Sequence, residues 1–254
     1  MNRTIVITGA ASGIGAATAK RLKDAGQHVI GVDLRQADIE ADLGTEAGRA
    51  HMVAEVARLA PGGIDAVLAG AGISRGDMPR ETVAINYFGA LATLEGLRPL
   101  MAGSPRPRAV AICSTAAFLP ANRQVVELCL AGDEAGALDA MAAEPQSSYA
   151  TSKNALSLWL RRAAVRPEWA GAGILLNGVG PGVVTTPMTT PLLDQPEMVK
   201  LIGQSNPIAV EGYAQAEEIA ELIDFLLGME NHYLLGQIIF IDGGSDAILR
   251  ADQV

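Results

Sequence analysis

Thr4-Ile5-Val6-Ile7-Thr8-Gly9-Ala10-Ala11-Ser12-Gly13-Ile14-Gly15 stands near the start of the chain. It reads as a β-branched run, a glycine-rich turn and the first turn of a helix that continues to Ala25 before Gly26 closes it. Glycines at such a junction permit a tight bend and let backbone N–H groups approach a phosphate at the positive end of the helix. Gly9, Ala11, Ser12, Gly13, Ile14 and Gly15 are therefore candidate contacts to a dinucleotide. Outward from this unit the alternation repeats. Apolar runs at Val29–Val32, Ile64–Ala69, Ala109–Cys113, Ile174–Val179 and Ile238–Ile241 are separated by helical stretches. Strands apolar on both faces, alternating with helices, predict a parallel sheet covered by helices on each side.

The composition agrees with one α/β domain over residues 1–254. Of the 254 residues, 49% are hydrophobic and 19% charged, which is too apolar for disorder and enough for a core. Lys and Arg total 19 against 28 Asp and Glu, a net charge of −9. That balance argues against nucleic-acid and anionic-membrane partners, which need basic surface. No apolar run reaches about 18 residues and no signal peptide opens the chain, so a soluble, cytoplasmic protein is expected. Cys113 and Cys129 are too few for a disulfide framework, and His28, His51 and His232 are scattered, so no metal site is expected. Two segments exceed the minimal alternation: Pro120 to Gln146, read as a helical insertion, and Pro187 to Gln215, a candidate lid over a site.

Four further positions point to chemistry. Asp33 closes the second strand, where a carboxylate accepts hydrogen bonds from ribose hydroxyls and repels a 2′-phosphate, so NAD is expected over NADP. Tyr149 and Lys153 are four residues apart on a predicted helix and share a face. An ammonium beside a phenol is expected to draw the phenol's pKa down toward the range of proton exchange with an alcohol. Ser114 ends the Ala109–Cys113 strand, and Asn86 lies on the helix after the Ala69-Gly70-Ala71-Gly72 turn. Separately each has an ordinary structural reading; together they supply a hydroxyl donor, a proton carrier, a cation and an amide.

With these residues in order, the chain resembles the short-chain dehydrogenase/reductase family over essentially its whole length. Thr8–Gly15 resembles the family's TGxxxGxG turn, Ala71-Gly72 its NAG turn, Asn86 its helix asparagine, and Ser114, Tyr149 and Lys153 its catalytic trio. Asn177-Gly178-Val179-Gly180-Pro181-Gly182 with Val184 and Thr186 resembles the segment that holds the nicotinamide carboxamide. Gln237–Gly244 resembles the last strand with its DGG ending, and Asp42-Leu43 the place of adenine contact. One departure is Gly70, where the family usually has an asparagine. Val32–Arg35, Val83–Ala90, the long interval between Ser114 and Tyr149, and Ile241–Ala247 resemble the family's bacterial hydroxysteroid dehydrogenases and carbonyl reductases in particular.

The resemblance implies a Rossmann-type doubly wound fold and hydride exchange between NAD and a secondary alcohol or ketone. Gly70, Ala71, Gly72, Pro181, Val184, Thr186, Tyr149 and Lys153 join the expected cofactor contacts. Tyr149 is the expected acid/base, Lys153 its electrostatic and ribose-binding partner, Ser114 the donor to the substrate oxygen, and Asn86 the holder of a water. Ser114, Ala116, Tyr149, Met188 and Leu192 are the expected substrate contacts, mostly apolar and suited to a steroid-like, terpenoid or aryl ring. A homodimer or homotetramer is expected. A redox sensor that binds NAD(H) without turnover, and a reductase of small non-steroid carbonyls, are the alternatives.

Overall fold

The computed structural model describes residues 2–253. Its strands are β1 (Thr4–Thr8), β2 (His28–Asp33), β3 (Ile39–Glu40), β4 (Ala66–Ala69), β5 (Arg108–Ile112), β6 (Leu175–Pro181), β7 (Val184–Thr185), β8 (Ala214–Gln215) and β9 (Ile238–Ile241). The helices are α1 (Gly13–Asp24), α2 (Glu46–Leu59), α3 (Pro79–Val83), α4 (Ala90–Leu97), α5 (Arg123–Ala131), α6 (Glu134–Ala142), α7 (Ser148–Ala164), α8 (Thr190–Leu193), α9 (Pro196–Ser205), α10 (Ala216–Gly228) and α11 (Ser245–Leu249).

Side chains on successive strand residues point to opposite faces, and here both faces are buried. Along β1, Val6 joins one core with α2, α4 and α7, while Ile5 and Ile7 join the other with α1 and α10. Seven strands lie parallel in the order β3-β2-β1-β4-β5-β6-β9. The chain leaves β1 toward β2 on one side and later returns to pair β4 on the other. That reversal opens a crevice at the strands' carboxyl ends, where ligands bind in sheets of this kind.

The interval before α7 is specified by its caps. Asn122 accepts the Val125 N–H at 3.1 Å to start α5, Gly132 in a left-handed conformation (φ +78°) ends it, and Asp133 accepts the Gly136 N–H at 2.9 Å to start α6. Arg49 reaches this insertion from α2: its guanidinium holds both oxygens of Glu134, at 3.0 and 2.7 Å, and also bonds the carbonyl of Leu43.

Three short strands escape a reading based on apolar runs, because two-residue strands carry no period. β3 extends the sheet's edge, and β7 pairs with β8. The latter pairing ties together the two ends of the segment that carries α8 and α9. No residue of α9 is buried, and its Leu201 is 55% exposed.

Candidate active site

The crevice is a cleft of about 350 Å³ running from Asp33 and Asp42 at one end to Ser114, Tyr149 and Met188 at the other. Its first half is built by close backbone approach. Gly9 adopts φ +75°, and a Cβ there would lie 2.9 Å from the backbone of Gly70 and Ala71. A Cβ on Gly15 would lie 2.0 Å from the Gly9 carbonyl, so only glycine lets α1 start against this turn. Ser12 precedes α1 without a side-chain cap, leaving the helix's first N–H groups to face the cleft.

Asp33 is fixed by two backbone donors, Ala11 N–H at 2.9 Å and Leu34 N–H at 2.7 Å. Asp42 accepts the Gly44 N–H at 2.9 Å. Of the sequence-derived cofactor contacts, Gly9, Ser12, Gly13, Ile14, Gly15, Asp33, Asp42, Leu43, Gly70, Ala71, Gly72, Tyr149, Lys153, Pro181, Val184 and Thr186 all line the cleft. Ala11 does not: it lies outside the lining, and its amide is spent on orienting Asp33.

The second half carries the polar trio. Ser114 precedes a single 3-10 turn, Thr115–Phe118, and its Oγ accepts the Ala116 N–H at 3.1 Å. That bond occupies an acceptor site and leaves the hydroxyl proton free to be donated. Tyr149 and Lys153 lie on α7, with the Lys153 Nζ 5.8 Å from the centre of the tyrosine ring. Lys153 is 4% exposed and donates to the carbonyl of Ile112 at 2.7 Å. Burial lowers its pKa to about 8.

The phenol differs from the sequence expectation. Burial raises the pKa of Tyr149 above its ordinary value, the Ser114 hydroxyl pulls it partly back, and the Cys113 thiol adds to the rise. The ammonium of Lys153 is engaged by the Ile112 carbonyl rather than by the phenol.

Asn86 is fully buried in a six-residue π-helical stretch, Ala84–Gly89. Its side chain donates to the Ile73 carbonyl at 2.9 Å and to Ser152 Oγ at 3.1 Å, and accepts the Ile73 N–H at 2.8 Å. Asn86 does not line the cleft but stands behind Gly72, fixing the turn from below. Ala116 and Leu192 also lie outside the lining, whereas Ser114, Tyr149 and Met188 belong to it. Ala116 is buried, and its amide is engaged by Ser114.

Several lining residues were not singled out from sequence: Leu34, Ala41, Ile73, Ile85, Cys113, Pro187 and Thr189 among them. Most flank a motif by one position, which is the signal that would have found them. Thr189 bonds the carbonyl of Val184 and the amide of Thr186, so it pins the start of the α8–α9 segment. Asn177 faces away from the cleft: 1% exposed, it donates to Leu234 and accepts from Gln237, tying β6 to the approach of β9.

The "short chain dehydrogenase" family matches residues 3–126, and a second description, "Enoyl-(Acyl carrier protein) reductase", matches residues 135–246. A 3-alpha-hydroxysteroid dehydrogenase/carbonyl reductase of Comamonas testosteroni is 36% identical over 98% of each chain. The chain belongs to the short-chain dehydrogenase/reductase family. Coniferyl-alcohol dehydrogenase of a Pseudomonas species is 30% identical over 96% of each chain. Among solved structures, the 3-alpha-hydroxysteroid dehydrogenase of Pseudomonas sp. B-0831, complexed with NADH, superposes with a TM-score of 0.93 at 40% identity, covering 99% of this chain and 100% of that one.

As a short-chain dehydrogenase/reductase, the protein is an oxidoreductase. Among its described residues no helix is long and apolar enough to cross a membrane, and no group of three or more His, Cys, Asp or Glu is placed to hold a metal ion.

Proposed function

We propose that this oxidoreductase interconverts a secondary alcohol and a ketone with NAD(H), on an apolar cyclic substrate. The observation that carries the reading is the meeting in one cleft of Ser114, Tyr149 and Lys153 with the uncapped start of α1 and the oriented carboxylate of Asp33. The residues fit the cofactor on several counts. Glycines leave room for a pyrophosphate beside exposed helix N–H groups. Asp33 suits ribose hydroxyls, and among the described residues that line the cleft Lys153 is the one Lys or Arg, which favours NAD over a 2′-phosphate cofactor. The NADH complex of the Pseudomonas relative supports the same choice.

Bound in this cleft, the nicotinamide supplies hydride exchange; the protein supplies position and the proton. Ser114, with its oxygen held by Ala116 N–H, donates to the substrate oxygen. Tyr149 exchanges a proton with that same oxygen, taking it during oxidation and returning it during reduction. Lys153 is the cation that would hold the nicotinamide ribose and, once released from the Ile112 carbonyl, stabilise the phenolate by charge, and Asn86 acts as a positioning residue through Ile73 and Ser152. Met188, Pro187 and Val184 give the substrate end an apolar wall, suited to a steroid-like, terpenoid or aryl ring, and the hydroxysteroid relative acts on a ring-bearing alcohol by name.

Two coarser expectations complete the reading. Both cysteines are buried and unpaired, which suits the reducing cytoplasm. Assembly as a homodimer or homotetramer is the expectation that accompanies the family.

The test is an absorbance screen of the purified protein with NAD(H) and NADP(H) against steroid, terpenoid, aryl and short-chain alcohols and ketones. Turnover confined to NAD(H) and one cyclic class supports the reading. Turnover of short-chain carbonyls alone moves the substrate to small molecules, and tight NADH binding with no turnover supports a sensor.

A further inference from the structure

The turn that carries Ser114 is held from outside the strand it follows. Thr115, 3% exposed, donates its hydroxyl to Asn206 Oδ1 at 2.7 Å, with a longer contact of 3.4 Å to the Pro181 carbonyl. Asn206 is the residue immediately after α9, the helix of which no residue is buried. The chain beyond Asn206 is fastened to the end of β9. Ser245 Oγ donates to the Pro207 carbonyl at 2.7 Å, and Ala209 N–H donates to the Gly243 carbonyl at 2.7 Å. Asn206 therefore sits where an unburied helix meets a fixed anchor, and its side chain reaches the residue next to Ser114.

The far end of the same turn is held separately. Phe118 packs on Phe240 of β9 with ring centres 4.7 Å apart, and the Arg250 guanidinium lies 3.7 Å over the Phe118 ring. The middle of the turn is held by Asn154, which donates to the Ala117 carbonyl at 3.0 Å, and at the Thr115 end the bond to Asn206 is the shorter of two restraints. Ser114 bonds within this turn through Ala116, so any rotation at Thr115 re-aims the Ser114 hydroxyl.

We propose that Asn206 is a positioning residue for Ser114, making the aim of the substrate-oxygen donor depend on how the α8–α9 segment is seated. This inference rests on the oxidoreductase reading for its effect on rate, but not for its effect on the turn. A substrate that presses on the start of the segment at Met188, ahead of α8 and α9, would at the same time bear on the hydroxyl it needs. Alignment of this kind acts on the chemical step more than on binding.

The experiment compares Asn206→Leu, Asn206→Asp, Thr115→Val and the Asn206→Leu/Thr115→Val double variant, using NADH with a 3-oxosteroid and a substituted cyclohexanone as probes. Asn206→Leu is expected to lower kcat about tenfold, the equivalent of ~1.4 kcal/mol, with NADH affinity unchanged and Tm lowered by no more than the loss of one hydrogen bond. Asn206→Asp, which keeps the acceptor, restores most of the rate, and the double variant is no slower than either single one. A kcat within twofold of wild type for Asn206→Leu, or additive losses in the double variant, overturns the proposal.

Hydrogen exchange of the peptide spanning Thr115–Leu119 separates this inference from the oxidoreductase reading. If no probe is turned over, that reading fails, and the latch is judged by exchange alone. Asn206→Leu should speed exchange of that peptide about fivefold or more while leaving α1 unchanged, as loss of a local constraint requires. Unchanged exchange there overturns the latch whatever the activity.

Discussion

The hydroxyl of Thr8 accepts the backbone N–H of Gly70 at 3.1 Å, and that of Ala71 at 3.3 Å, across the crevice between β1 and β4. The family's usual asparagine at the Gly70 position is thus replaced by backbone donors and a threonine oxygen. A Cβ on Gly70 would lie 2.8 Å from the Thr8 carbonyl, closer than real Cβ contacts come.

Restoring the family's residue should therefore harm this chain. Gly70→Asn is expected to destabilise by about 1–3 kcal/mol through overpacking. Thr8→Val should cost a similar ~1–3 kcal/mol by leaving two amides without their acceptor. Urea unfolding midpoints at constant slope check both; a Gly70→Asn variant as stable as wild type would contradict the steric account.

Tyr149→Phe is expected to bind NADH as wild type does and to lose turnover by about 100-fold or more, the typical yield of a positioned acid/base. Fluorescence titration of NADH with steady-state kinetics on one substrate separates the two effects. Near-normal kcat would remove Tyr149 from the reaction.

Asp33→Ala should weaken discrimination against NADPH by lifting the repulsion of its phosphate, with NADH affinity falling because ribose hydroxyls lose their acceptor. The ratio of kcat/KM for NADH over NADPH is the measurement, and a drop of about tenfold, ~1.4 kcal/mol, is the expected scale. An unchanged ratio would confine Asp33 to bracing Ala11.

Lys153 makes a prediction about stability and pH. Its pKa falls from 10.5 to about 8 on burial, so between those values the unfolded chain holds a proton that the folded chain has released. Stability contributed by this group therefore rises with pH across that window. Below about pH 8 both states carry the charge, and the folded state bears its desolvation. Lys153→Met removes the titration, so its stability advantage over wild type should be largest near pH 7.5 and shrink toward pH 10. Cys113 and Tyr149, whose pKa values burial raises, act in the opposite sense; because the Lys153 ammonium also pulls on Cys113, the comparison is made in a Cys113→Ala background. A gap that stays constant in paired urea titrations from pH 7.5 to 10 would contradict the assignment.

The fold was legible because its sheet is buried on both faces. Runs such as Ile5–Ile7 or Ala109–Ile112 have no polar alternation to confuse them, and Gly9 and Gly15 mark a junction that no other residue could occupy. The site was legible where chemistry requires a residue type at a strand end or at helical spacing, as with Asp33, Ser114, Tyr149 and Lys153. It was less legible where a side chain serves backbone geometry. The bonds of Asn86 to Ile73 and Ser152 follow from a π-helical stretch, and neither composition nor period announces one. The upward shift of Tyr149 likewise depends on three-dimensional desolvation, which spacing along a helix does not report. Ala116 and Leu192 were placed by proximity in sequence, but a tight turn directs one into the protein and a short helix holds the other outside the cleft.

The Arg49–Glu134 pair gives the interval between Ser114 and Tyr149 a different standing from that of a detachable cassette. Arg49 is 9% exposed, and the same guanidinium holds the carbonyl of Leu43 at the Asp33–Asp42 end of the cleft. A chain shortened to remove α6 would leave that cation without its carboxylate, and because Glu134 keeps 31% of its side chain exposed the expected loss from the pair is about 1 kcal/mol. Arg49→Met would remove the unpaired cation from such a shortened chain, at the loss of the bond to the Leu43 carbonyl. The insertion is thereby tied to the floor of the cleft through one side chain, so a change at position 49 or in α6 is felt at Leu43 as well.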